Sequence, residues 1–597
     1  MEDPATISRN RVNPFKRTAR VFSGLAYNRH VGPVVLAVVI GFATGLAAIG
    51  FRELIRFFNF IFLERAWVWA EATLPYGRAA LPVITGAGGL VVGLLVYYLA
   101  PEAKGSGIPD VMGAVAVRGG IIRHRVLPVK ALAAAICMGS GGSAGREGPI
   151  VQMGSSIGSA LSQVLHLSAQ RTRTLVGCGA AAGIAATFNA PVAGALFSLE
   201  VILGDFGFAN FAPVVISSVV GAAVGRWYFG NHPSLTVLHF QLRHWGEFPL
   251  YALLGVAAGI LGVVFTKLLY GEEDFFGKVL RVIPAPARPM LGGVAVGTLG
   301  IFLPQILGTG YGPVDAAVSN IYPLQLVLIF LVAKLFATTT TLGSGGSGGI
   351  FAPALFMGAM LGSAFGVLAH QVFPGLTAQP GAYALVAMGA MVASTTYAPL
   401  AAVVILFEMT DNYSIILPLM TACVIALVVA RRLNHLSIYT TKLHRAGVNL
   451  RGGQDVDILK SIEARDVMRL NYETIYAGML FKDIMEFVQE ARQNSFPVVD
   501  DRGDLVGVIS MQNLRRWVNE RSFSNIVVAE ELCKRDVITV SENETLYTVW
   551  DTFERLDVES LPVVSTDDPR RIVGLLFRKD AYAAYTSKTV GVWAESR

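Results

Sequence analysis

The sequence predicts an α-helical polytopic membrane protein that carries a soluble α/β domain at its C-terminal end. Three observations carry this. Of the 597 residues, 53% are apolar and only 15% charged, against roughly 25% charged in an ordinary soluble domain. The charge is also unevenly spread. Residues 1–450 hold 29 Lys+Arg, 17 Asp+Glu and 56 of the 63 glycines, whereas residues 451–597 hold 19 Lys+Arg and 25 Asp+Glu. The two parts therefore carry +12 and −6, and the first is too poor in charge to coat a water-facing surface. Finally, each part contains an internal repeat of its own.

Met1–His30 is polar and basic without an apolar h-region, so no secretory signal is expected. Apolar stretches then run through Gly32–Phe51, Ala79–Ala100, Thr174–Leu203, Phe211–Tyr228, Leu250–Leu269, Pro289–Leu307, Leu324–Phe336, Phe351–Leu368, Ala382–Phe407 and Ile415–Ala430. About 20 such residues cross a bilayer core. Shorter or interrupted stretches, such as Val129–Met138 and Leu324–Phe336, read as helices that stop part-way, which lipid tolerates only where the broken backbone is buried or lines a polar cavity. Arg9, Arg11, Lys16, Arg17 and Arg20 precede the first span, and Arg431, Arg432, Lys442 and Arg445 follow the last. By the positive-inside rule both termini are cytoplasmic and the number of crossings is even.

Other classes are excluded. Cys137, Cys178, Cys423 and Cys533 form no CxxC pair and the nine histidines no HxxxH, which argues against a disulfide framework or a zinc site. The basic balance includes no stripe interleaved with aromatics, so no nucleic-acid partner is expected. There is no Walker lysine, and the GxGxxG of Gly343, Gly345 and Gly348 lacks a βαβ context.

Within the membrane part, Gly139–Pro149 (GSGGSAGREGP) and Gly343–Pro353 (GSGGSGGIFAP) share seven of eleven residues at an offset of 204. Ala190, Pro191, Ala193 and Glu200 match Ala398, Pro399, Ala401 and Glu408 at an offset of 208. The membrane part is therefore a duplication, and interrupted segments at corresponding places in two halves point to a midplane site between inverted repeats. Each GSGGS…P segment reads as a loop delivering a helix N-terminus into the membrane, because glycine uncovers backbone N–H groups and proline suits the first helical turn. Helix N-termini favour anions. Gly105-Ser106-Gly107-Ile108-Pro109 is a third such segment and adds a hydroxyl; Arg146 supplies the one full positive charge. For any one loop, close helix packing would account for the glycine and serine; three loops and a duplication together favour an anion site. Glu147 is the one carboxylate in these loops, and an intramembrane ionisable group is a functional candidate by default.

GSGIP (105–109), GREGP (145–149) and GIFAP (349–353), in this order, resemble the three signature motifs of the CLC chloride channel and transporter family. The resemblance extends through FNAPVAGALFSLE (188–200) and APLAAVVILFEMTDNY (398–413) to Tyr439. It implies a homodimer with about 18 tilted helices per subunit, an anion pathway in each, and residence in the cell (inner or plasma) membrane. Carried over, the chloride ligands are the Ser106 and Tyr439 hydroxyls and the N–H groups of Ile350 and Phe351, with an outer site around Arg146 and Gly148. Glu147 is the implied gate: ionised, it competes with the anion; protonated, it does not. Val201 stands where family antiporters usually carry an inner, proton-handling glutamate, as in the family's channels, although some antiporters also lack that carboxylate. Glu200 and Glu408 read as scaffold because they are duplicated.

The tail repeats as well. Arg465-Asp466-Val467, Pro497-Val498-Val499 and Val506-Gly507 recur as Arg535-Asp536-Val537, Pro562-Val563-Val564 and Val573-Gly574. The two α/β units resemble a CBS-domain pair. That resemblance implies an adenine-nucleotide cleft, for which Ser510 and Asn513 in the first unit and Phe577 and Asp580 in the second are partial matches; a purely structural dimerisation module fits as well. The chain thus divides into a basic N-terminus (1–31), a transmembrane domain (32–445, with halves of about 32–235 and 248–440), a linker (446–463), CBS units at 464–520 and 528–587, and a last segment (588–597). The leading expectation is a chloride channel, not an enzyme, gated by voltage or pH through Glu147 and modulated by the tail. The alternatives are a proton-coupled chloride antiporter and a membrane sensor with the tail as its output.

Overall fold

The computed structural model describes residues 31–73, 77–230, 242–279, 282–448, 459, 462–491, 493–511, 514, 526–556 and 558–585. The basic N-terminus, most of the 446–463 linker, Asn513 and the last segment lie outside these. Two compact units divide at Leu443/His444.

The membrane unit opens with α1 (Gly32–Asn59), α2 (Ala80–Leu99), α3 (Ile108–Val117), α4 (Val126–Gly139), α5 (Glu147–Val164), α6 (Ala169–Phe188), α7 (Pro191–Phe197) and α8 (Phe208–Phe229). The second half repeats the series as α9 (Phe248–Asp274), α10 (Arg288–Phe302), α11 (Tyr311–Val318), α12 (Leu324–Gly343), α13 (Phe351–Val372), α14 (Pro380–Thr396), α15 (Pro399–Thr410) and α16 (Ile416–Leu433). Helix α17 (Ile438–Arg445) follows. The pairing α5 on α6 and α6 on α8 recurs as α13 on α14 and α14 on α16, and α2 packs on its counterpart α10. Among the described residues seven helical stretches are long and apolar enough to cross a membrane, with four shorter apolar helices besides.

Three of the expected stretches end or break differently. The stretch beginning at Leu324 does not stop at Phe336 but continues to Gly343. Its threonines need no water: the Thr339 and Thr341 hydroxyls donate to the carbonyls of Leu335 (3.0 Å) and Ala337 (2.7 Å), one turn back. Conversely, Thr174–Leu203 and Ala382–Phe407 are each two helices. The breaks fall at Asn189 (φ 59°) and Tyr397 (φ 61°), left-handed residues that end α6 and α14 just before an Ala-Pro pair. Proline cannot continue the preceding helix but is well placed to begin the next.

The second unit contains two copies of one small motif. In the first, β1 (Ile475–Tyr476) pairs parallel with β2 (Ser495–Val499), which pairs antiparallel with β3 (Leu505–Ser510); α18 (Phe481–Glu490) lies between β1 and β2 in sequence. The second repeats this as β4 (Val540–Ser541), α19 (Leu546–Leu556), β5 (Ser560–Val564) and β6 (Ile572–Phe577). Even the register irregularity recurs, at Val498/Val499 and at Val563/Val564.

Candidate functional site: three helix N-termini and a buried carboxylate

The three glycine loops meet. The Gly105 N–H donates to the Gly346 carbonyl (2.9 Å) and the Gly348 N–H to the Gly105 carbonyl (3.1 Å), while Gly145 and Gly349 exchange a pair of backbone bonds (2.7 and 2.6 Å). The N-termini of α3, α5 and α13 are thereby tied backbone to backbone. Glycine is required for this approach: a Cβ on Gly349 would lie 2.8 Å from the Gly148 nitrogen, and one on Gly148 would strike the Ser106 carbonyl. Gly107 (φ 81°) turns the chain into α3 through a conformation that other residues reach only with strain. First helical turns, with their N–H groups, thus converge on one region, which favours negative charge.

Ser106, Ile350 and Tyr439 line one cavity of about 40 Å³, bordered also by Lys104, Glu273 and Lys442. The Tyr439 hydroxyl is buried and has no hydrogen-bond partner among the described residues. A buried unsatisfied hydroxyl is costly, and an acceptor in the cavity would relieve it. Tyr270 fixes the start of α17 by donating to the Ile438 carbonyl (2.5 Å), and Phe351 packs against Phe188 with ring centroids 5.5 Å apart. Both bordering cations are paired: Lys104 with Glu273 at 2.6 Å and Lys442 with Asp110 at 2.8 Å.

Glu147, the first residue of α5, is fully buried. Its Oε1 accepts from the Tyr311 hydroxyl at 2.7 Å and its Oε2 from the Ala352 N–H at 3.4 Å, in the first turn of α13. The carboxylate therefore occupies a position that the converging N-termini make attractive to an anion. Arg146 stays 3.9 Å away, more distant than a hydrogen bond, with its guanidinium 5.2 Å from the centre of the Tyr311 ring.

Arg146 is not the one full positive charge near the loops: two buried lysines stand close by as well. The Lys130 Nζ, fully buried, donates to the carbonyls of Ala103 (3.0 Å) and Gly105 (2.6 Å) in the loop that presents Ser106. Lys334 Nζ does the same to Ile306 (2.8 Å) and Gly308 (2.9 Å). Their equal spacing to the repeat, 204 residues, was the available signal.

Val201 is buried in a π-helical turn (Ser198–Leu203), and among the described residues no carboxylate replaces it there except Glu200. Glu200 is already committed: it accepts from the N–H groups of Leu400 (3.3 Å) and Ala401 (2.7 Å). In the tail, Ser510 ends β3, while both Asp580 oxygens accept from Arg469 (2.6 and 2.9 Å), whose guanidinium also covers the Phe577 ring at 4.7 Å. In the second unit the acidic candidate Asp580 is thus paired with Arg469, and the Phe577 ring stands where the first unit has the Ser510 hydroxyl.

Residues 88–431 match the family described as voltage gated chloride channel, and residues 464–520 and 528–587 each match the CBS domain. The chain is 37% identical over 418 residues to a putative chloride channel protein ClcB-like from Ralstonia nicotianae, covering 69% of this chain and 96% of that protein. It is 35% identical to an H(+)/Cl(−) exchange transporter ClcA from Vibrio campbellii, covering 69% and 88%. Among solved structures it is similar to a slow cyanobacterial Cl−/H+ antiporter, with a TM-score of 0.65, 29% identity, and coverage of 70% of this chain and 98% of that one.

Proposed function

The chain belongs to the voltage gated chloride channel family, and we propose that it is a proton-coupled chloride antiporter in which Glu147 is both gate and outer proton carrier. One observation carries the reading: the Glu147 carboxylate sits at the meeting of the α5 and α13 N-termini, where an anion would be held. Two negative groups cannot share that position, so chloride advances when Glu147 takes up a proton and leaves it. The site behind the gate uses the Ser106 and Tyr439 hydroxyls and the first N–H groups of α13 at Ile350 and Phe351. Arg146 and Gly148 belong to the outer approach. Proton exchange is supported by the likeness to the Vibrio exchanger and to the cyanobacterial antiporter.

The protein works as a homodimer, each subunit with its own pathway, in the cell membrane with both termini cytoplasmic. Its boundaries are those of a membrane domain over 32–445 and a two-unit tail over 464–587.

A second reading, passive chloride conduction, is favoured by Val201, which cannot hand on a proton from the inside, and by the likeness to the Ralstonia protein. Liposomes holding the purified protein, loaded with a chloride gradient and followed with chloride and pH electrodes, separate the two. Uphill proton movement driven by chloride supports exchange; chloride flux with no proton movement overturns it.

A further inference from the structure

The Ser106 loop has a structural twin that its sequence scarcely advertises. Pro101, Gly105, Ser106 and Gly107 are followed 203 residues later by Pro304, Gly308, Thr309 and Gly310. Both loops begin with a 3-10 turn, Pro101–Ala103 and Pro304–Ile306. Both use two glycines in left-handed conformation, at φ 69° and 81° in the first and 59° and 80° in the second. Each is pinned by a buried lysine through two carbonyls, Lys130 to residues 103 and 105 and Lys334 to residues 306 and 308. Each leads directly into a short helix, α3 or α11. The first loop presents Ser106 to the anion cavity. The second presents Tyr311, the first residue of α11, to Glu147.

We propose that Tyr311 is a positioning residue for the gate: its hydroxyl, held in place by the Lys334-pinned loop, latches the ionised Glu147 side chain in the anion position. This rests on the reading of Glu147 as the gate. The hydroxyl donates at 2.7 Å to Oε1, which is shorter than the 3.4 Å contact from the Ala352 N–H to Oε2, so Tyr311 supplies the better of the two bonds. A hydrogen bond to a charged acceptor is worth about twice a neutral one. It is made to the ionised carboxylate and is lost when the side chain, protonated, swings away. The charged and titratable groups that interact with Glu147 are Arg146 at the start of its own helix, Tyr311 from α11 and Tyr439 from α17, and Arg52 of α1 interacts in turn with Arg146 and Tyr311. Of these, Tyr311 is the one whose hydrogen bond to the carboxylate the structure contains.

The test is Tyr311→Phe, which removes the hydroxyl and keeps the ring beneath Arg146. Chloride efflux from liposomes is measured against external pH for the parent protein, Tyr311→Phe, Glu147→Gln and the double variant. Loss of the donor destabilises the seated, ionised carboxylate, so protonation succeeds at lower proton concentration. The midpoint of the pH dependence should rise by about one pH unit. In the Glu147→Gln background the second substitution should leave the profile unchanged. An unmoved midpoint in Tyr311→Phe, with Glu147→Gln still flattening the profile, overturns the latch and leaves the gate intact. A profile that Glu147→Gln does not flatten overturns the gate and the latch together.

Discussion

Glu200 and Glu408 cap each other's half of the protein. Glu200, just past α7 in the first repeat, accepts from Leu400 and Ala401 at the start of α15; Glu408, in α15, accepts from Val192 (3.1 Å) and Ala193 (2.7 Å) at the start of α7. Each carboxylate thus satisfies orphan N–H groups of the helix that bears its counterpart, and negative charge meets the positive helix end on both sides. The exchange holds the two repeats in register. It also explains why both glutamates are duplicated, as scaffold residues would be.

Replacing either glutamate with alanine should cost stability, on the order of 1–3 kcal/mol for a charge-assisted cap. The two losses should be similar in size. Thermal unfolding in detergent, followed by fluorescence or by retention on size exclusion, reads this out. A loss confined to one of the pair would contradict the reciprocal role.

Glu147→Gln should raise chloride flux and abolish most of its dependence on external pH. The amide cannot ionise and so behaves at every pH as the protonated gate does. The parent protein should open as external pH falls, while the variant stays open on both sides of that transition. Flux that still rises with acidification in the variant would assign the gate to another group.

The two buried lysines should give different phenotypes although they make the same bonds. Lys130→Met frees the loop carrying Ser106 and leaves two buried carbonyls each short of a donor, so calorimetry should show chloride affinity falling roughly tenfold, for about 1.4 kcal/mol. Lys334→Met frees the loop leading to Tyr311 and should move the pH profile in the direction of Tyr311→Phe, with chloride affinity nearly unchanged. Identical phenotypes would mean that the lysines act only on stability.

Truncation after Leu450 should leave a protein that still carries chloride. Ser106, Glu147, Ile350, Phe351 and Tyr439 all lie in the membrane unit, which ends at Leu443. Reconstituted flux from the truncated chain checks this, and its complete loss in a well-folded preparation would tie the tail to the pathway itself.

Much of this architecture was readable in the chain because it is written as identity. The GSGGS loops, the paired Ala-Pro segments and the two tail units share residues at nearly constant offsets, and duplication reveals a scaffold even where periodicity is featureless. The helix ends were less legible. Nothing in the hydropathy of Thr174–Leu203 marks the break at Asn189, and the threonines before Gly343 look like the end of a span until their hydroxyls are seen bonded one turn back. Tyr311 was invisible for another reason. It lies 164 residues from Glu147, at the end of a loop whose likeness to the Ser106 loop rests on backbone shape and a distant lysine more than on shared side chains.

The bonds that join Gly105 to Gly346 and Gly348, and Gly145 to Gly349, have a consequence for how such a pathway can work. Sliding any one of the three helices along its axis would break main-chain bonds between buried loops and leave their polar groups unpaired. The frame around the ion is therefore stiff, and its size is set when the protein folds. What remains free to move are side chains that enter the frame from its rim. In the proposed mechanism, the swing of the Glu147 carboxylate is then enough for turnover, without the rocking of whole domains.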